Sequence, residues 1–102
     1  MQVRRLNLDD AFRLAHILSQ YVDVDALNPQ QDAVDFIGDI VQKITPEEYL
    51  KCVSLLTNTD IDTIKKEFVE KGASLDILTA FIEGMKLNQA ISLLRFYKSI
   101  GL

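Results

Sequence analysis

Apolar side chains recur along this chain at every third or fourth position, in short runs that each open on a small polar residue. That period places them on one face of an α-helix. Asn7 precedes Asp9 and Asp10, so a capping oxygen and an acidic first turn introduce the first run. Leu8, Phe12 and Ala15 lie at one spacing and Ala11, Leu14, Leu18 and Tyr21 at another, which predicts a helix over 8–21 with a broad apolar face. Leu6 is placed to staple onto its first turn. Val22 to Asn28 alternates too briefly for a strand and reads as a loop.

The same punctuation repeats downstream. Asn28-Pro29-Gln30-Gln31 combines a cap, a preset φ and a side chain that reaches back, and predicts a helix over 29–43. Ala33, Val34, Ile37, Ile40, Val41 and Ile44 share its apolar face, with Phe36 beside them. Gly38 lies inside it at a cost of about 1 kcal/mol against Ala, which predicts a close neighbouring helix there. Thr45-Pro46-Glu47-Glu48 is a capping box with proline at the first helical position, and opens a nearly continuous apolar run over 46–56. Thr59-Asp60-Ile61-Asp62 begins a fourth helix with Ile61, Ile64, Phe68 and Val69 as its apolar stripe. Lys65, Lys66, Glu67 and Glu70 make its wet face, with weak pairing expected for Asp62–Lys66 and Lys66–Glu70. Gly72 is its stop. Ser74 is the expected cap of a fifth helix that turns Leu75, Leu78, Phe81 and Ile82 inward and ends at Gly84. Asn88 is the expected cap of the last, which stops at Gly101. The pattern predicts an all-α fold: a compact bundle of about six short helices forming one domain over residues 1–102.

Composition narrows the function classes. With 48% hydrophobic and 25% charged residues the chain is ordinary globular protein. One cysteine, Cys52, excludes an internal disulfide and a cysteine-built zinc site, and one histidine, His16, leaves little for imidazole metal chemistry. No cofactor or metal is expected. The net charge of −4 disfavours nucleic acid as a partner. No apolar stretch approaches the ~20 residues of a membrane span, and the start lacks the apolar core of a signal peptide, so a cytoplasmic protein without a membrane partner is expected. The charge is uneven: beyond Glu83 there is no acidic residue, while Lys86, Arg95 and Lys98 remain. That basic tail either complements a helix dipole or docks an acidic partner.

The candidate chemistry is sparse. His16, between Ala15 and Ile17, has no carboxylate or nucleophile at a useful spacing and reads as a surface residue. Cys52 has a lysine beside it but no histidine motif, and reads as packing. Asp23 and Asp25 begin like a calcium loop, but Asn28 and Val34 occupy the positions that need Gly and Glu. Asp32, Asp35 and Asp39 share a helix face and read as solvated acids. Phosphate-cradling glycine loops and a nucleophile elbow are missing, and no helix reads as a basic recognition helix. No enzyme is expected.

The last helix is the most informative segment. Ile91, Leu94 and Tyr97 share one face, with Leu93 and Phe96 adjacent and Leu87, Ile100 and Leu102 flanking. It is apolar over more than half its circumference. Either it packs centrally in the bundle, or one side receives a partner segment, with Leu87, Ile91, Leu94, Phe96 and Tyr97 as candidate protein-binding residues.

Three stretches carry a resemblance: VRRLNLDDAFRLAHIL near the start, ITPEEYLKCVSLL in the middle and ILTAFIEGMKLNQAISLLRFYKSIG at the end. In these the chain resembles the small all-helical tail assembly chaperones of long-tailed bacteriophages and related prophages. The resemblance implies a non-enzymatic protein of the host bacterial cytoplasm, absent from the mature virion. It implies binding that keeps the tape measure protein soluble while the tail tube polymerises, contact with the tube protein through a longer frameshifted form, and self-association. It carries no catalytic residue with it. The competing expectation is a helical protein–protein interaction module, such as a death-fold-like adaptor or a phage-borne host regulator.

Overall fold

Three of the helices begin where a polar side chain turns back onto the backbone, and two end on a left-handed residue where the chain reverses. In the computed structural model, which describes residues 1–27, 32–72 and 74–100, the helices are α1 (Leu8–Ser19), α2 (Ala33–Lys43), α3 (Pro46–Thr57), α4 (Ile61–Lys71), α5 (Ser74–Leu87) and α6 (Ala90–Ser99). Among the described residues there is no strand, and the all-α bundle expected from the sequence is the fold. The expected loop after α1 contains one 3-10 turn, Val24–Ala26.

The caps explain the boundaries. The Asn7 side chain accepts the Asp10 amide at 2.8 Å, and Thr45 accepts that of Glu48 at 3.3 Å, with Pro46 following. Both satisfy donors that the first helical turn leaves open. α2 is capped by Asp32, which accepts the Val34 amide at 3.0 Å. The start expected for α2 at Asn28-Pro29-Gln30-Gln31 lies outside the described residues, as do the cap side chain of Ser74 and the stop at Gly101. α3 and α4 end on left-handed residues, Asn58 at φ 51° and Gly72 at φ 60°. The second of these is the stop that the sequence predicts.

The core is entirely apolar. Leu14, Leu18, Ile40, Val53, Leu56, Ile64, Phe81 and Leu94 are completely enclosed. No buried polar side-chain atom among the described residues lacks a hydrogen bond. α5 is the central element and packs against α2, α3, α4 and α6. Gly84 lies inside it and does not end it, correcting the expectation. A Cβ built there would sit 2.9 Å from the Cβ of Leu56, so the glycine lets α5 and α3 approach closely. The close approach expected at Gly38 is not there: that residue is exposed, with open space around it. The radius of gyration is 13.2 Å, the value of a compact domain of about 100 residues.

An extended N-terminal strap ties the bundle together. The Arg4 amide donates to the Leu56 carbonyl at 2.9 Å and its Nε to the Leu55 carbonyl at 3.0 Å. These are last-turn carbonyls of α3, which have no partner inside their helix. Arg4 Nη2 also pairs with Asp10 at 3.0 Å, joining α3 to α1. Asn88 holds the strap from the other side. Its Oδ1 accepts the Leu6 amide at 2.8 Å, and its Nδ2 donates to the carbonyls of Arg4 at 3.0 Å and Gly84 at 2.9 Å. One side chain thus imitates a strand partner for residues 4 and 6. Asn88 is therefore not the cap expected for α6; that position belongs to Gln89, at φ 50°.

Candidate functional site

Two amphipathic helices leave apolar side chains outside the core. In α4 the stripe expected to be buried is divided: Ile64 is fully enclosed and Ile61 half-buried, whereas Phe68 is 51% and Val69 80% exposed. Leu75, expected to face inward from α5, is 72% exposed. The reason is geometric. α4 touches the bundle through α3 and α5, so its outer half finds no helix to cover it.

Phe68 and Val69 line a groove of about 550 Å³ between α3, α4 and α5. α3 contributes Pro46, Tyr49 and Leu50, α4 contributes Phe68 and Val69, and α5 contributes Ile77 and Leu78. Leu75 precedes Leu78 by three residues and so extends the same side of α5. The Tyr49 ring leans on the buried Phe81 ring with centroids 5.0 Å apart, which fixes that wall of the groove. Burial, reinforced by Cys52, pushes the Tyr49 phenol up to about 12, so it is uncharged at neutral pH. Among the described residues lining the groove, Lys65 alone is charged. Its stem can cover apolar surface while the ammonium stays in water. The Asp62–Lys66 and Lys66–Glu70 pairs expected along α4 are not among the ion pairs of the described residues. A concave, mostly apolar surface of this kind is suited to covering another apolar surface.

The candidate residues of the last helix are divided between interior and surface. Leu94 is fully enclosed and Tyr97 buried, so both serve the core. Leu87 and Ile91 are half-buried. Phe96 is 52% exposed, stacked on Phe12 of α1 with centroids 6.2 Å apart. The five do not form one open face. Sequence reasoning does not single out Phe68 and Val69 of the groove, or the neighbouring Leu75, as binding residues. An apolar stripe on a helix reads the same whether a neighbour covers it or not.

The polar candidates are placed plainly. His16 is exposed, and its Nδ1 lies 3.0 Å from the Tyr97 hydroxyl, which gives that buried ring its polar partner. A broader cleft of about 1050 Å³ runs past it, lined by Asp9, Arg13, Glu48 and Lys51 as well as Phe12 and Leu55. Its charges are of both signs, and no hydrogen bond or ion pair joins His16 to a carboxylate among the described residues. Cys52 is fully enclosed. Burial first, and Glu48 second, push its thiol up to about 12, which leaves essentially no thiolate at neutral pH. Asp35 and Asp39 are exposed on α2 as expected of a solvated acidic face, whereas Asp32, expected on the same face, lies outside the helix and caps it. Among the described residues no three His, Cys, Asp or Glu side chains gather as metal ligands would. No described helix is long and apolar enough to cross a membrane.

Comparison of the chain with protein-family models, with curated proteins and with solved structures finds no match.

Proposed function

We propose that this protein is a holding chaperone of the tail-assembly kind, whose groove between α3, α4 and α5 covers an apolar stripe on a helical client. The client is a tape measure protein, a long helical chain that needs its apolar surface shielded before the tube forms around it. The observation that carries the reading is the exposure of Phe68 and Val69 in an apolar groove, with Leu75 exposed nearby on α5. The resemblance of the three sequence stretches supplies the identity of the client.

The energetics fit a weak, repeated grip. Fully burying a large apolar side chain contributes about 1.5–3 kcal/mol, and these three begin partly covered. Association costs roughly 4–15 kcal/mol in lost freedom. One groove on one helix turn therefore binds weakly. A long client offers many such stripes, and many copies along it keep the whole chain dispersed. The domain's net charge of −4 adds repulsion between loaded complexes.

The test is co-expression with a candidate tape measure protein. Recovery of that client in the soluble fraction with many chaperone copies on each chain supports the reading. A client that stays insoluble, or a complex with one copy of each, refutes it and leaves a conventional interaction module. Contact with the tube protein through a longer form belongs to the same proposal. It predicts that the longer form, and not the short one, retains tube protein on a column.

A further inference from the structure

The client groove takes one edge of α3; the opposite edge borders the broad cleft against α1, whose charges are ordered. α1 turns Asp9 and Arg13 into this cleft, four residues apart, and α3 turns Glu48 and Lys51 into it, three apart. Both spacings keep a pair on one helix face. The floor is apolar, with Phe12 and Leu55 half-buried. The two walls run in opposite directions. Arg4 joins the Leu55 and Leu56 carbonyls, at the end of α3, to Asp10, in the first turn of α1. The start of α1 therefore lies by the end of α3. Along the cleft the order is Asp9, then the two bases Arg13 and Lys51 on facing walls, then Glu48. The chain itself satisfies these charges poorly. Asp9 and Arg13 are exposed and in no ion pair among the described residues, and Lys51 reaches Glu48 only at 3.6 Å.

We propose that this cleft is a second docking site, which receives an amphipathic helix of another protein carrying a base, an acid and a base at four-residue spacing. The central carboxylate sits between Arg13 and Lys51 and relieves the repulsion of like charges on facing walls. The outer bases meet Asp9 at one end and Glu48 at the other. The register follows from helix geometry. Four residues rise about 6 Å, which is also the step from Asp9 to Arg13 on the wall. A Lys-x3-Glu-x3-Lys segment, about 12 Å long, therefore matches the order acid, bases, acid. Its apolar side chains one position along the stripe cover Phe12 and Leu55. A uniformly acidic helix meets like charge at both ends of the cleft, and a uniformly basic one meets it in the middle. The domain's net charge of −4 attracts bases to its whole surface. A preference for a central acid thus separates this site from general attraction. The client groove stays free, because α3 lends it Tyr49 and Leu50 from the other edge.

Fluorescence anisotropy with two labelled, end-capped peptides tests this on the full chain. Each peptide has about 16 residues, long enough to hold some helix, and the same apolar stripe. One carries Lys-x3-Glu-x3-Lys; the other has lysine at the central position and is otherwise identical. The wild type is expected to bind the first about tenfold or more tightly at low salt. The preference is expected to fade near 1 M salt, where the screening length shrinks to about 3 Å. Arg13→Glu/Lys51→Glu changes two exposed side chains, with folding checked by circular dichroism. In this variant the preference is expected to invert, because the centre of the cleft becomes acidic. Val69→Asp, in the client groove, is expected to leave the wild-type preference unchanged. The proposal is overturned if the wild type binds the two peptides equally, prefers the lysine-centred one, or binds neither at about 1 mM. It is also overturned if the double variant keeps the wild-type preference, or if Val69→Asp abolishes it.

Discussion

Asn88→Ala removes the side chain that holds the N-terminal strap, and the structure sets the size of the loss. Three hydrogen bonds disappear. The Gly84 carbonyl keeps a partner, since it also accepts the Asn88 backbone amide at 3.1 Å. The Leu6 amide and the Arg4 carbonyl keep none and sit in part-buried positions. At about 0.5–1.5 kcal/mol for each neutral bond, the two losses total about 1–3 kcal/mol. A domain of this size shifts its melting temperature by roughly 4–8 °C per kcal/mol, so the midpoint falls by about 5–20 °C. Asn88→Asp is expected to be at least as harmful. Its carboxylate can accept from Leu6 but sets negative oxygens against the two carbonyls that the amide served. Hydrogen exchange separates strap release from general softening: the Arg4 and Leu6 amides exchange fastest in the variant, while those of central α5 slow the least change. An unchanged midpoint together with unchanged protection at Leu6 refutes the account of the strap.

Other outcomes follow from single features. Gly84→Ala places a methyl group 2.9 Å from the Leu56 Cβ and is expected to cost about 1–3 kcal/mol by overpacking, read by denaturant titration. Gly38→Ala meets nothing within 4 Å and is expected to stabilise by about 0.4–1 kcal/mol in the same titration. The Cys52 thiol, raised from 9.0 to about 12, binds its proton more tightly folded than unfolded. Its contribution to stability is thus fully present below pH 9 and is lost as pH climbs toward 12. Thermal melts are expected to show this alkaline decline, and Cys52→Ser to make it shallower and to leave the part above pH 10 that the raised Tyr49 phenol contributes.

Much of the architecture is legible in the residues, and the failures share one cause. Asn7, Thr45-Pro46 and Gly72 act locally, so their roles as caps and stops follow from sequence alone. Gly38 and Gly84 look alike in a helical pattern; only the identity of the neighbouring helix decides which one is needed, and that neighbour is α3 at Gly84. Phe68, Val69 and Leu75 have the spacing of buried residues but meet no covering helix, because α4 sits at the margin of the bundle. Asn88 has the composition of a cap, yet its partners are residues 4 and 6, more than eighty positions away in the chain. In α6 the period identifies a broad apolar surface correctly, but not the division that sends Leu94 inward and Phe96 outward.

The groove is tested most directly at Val69, which is 80% exposed and so contributes little to the fold. Val69→Asp is compared with wild type for the fraction of the proposed client, a co-expressed candidate tape measure protein, that remains soluble, at equal level and equal melting temperature of the two variants. The account predicts that the variant folds normally and loses most of the soluble client. Full client solubility with the variant would contradict it.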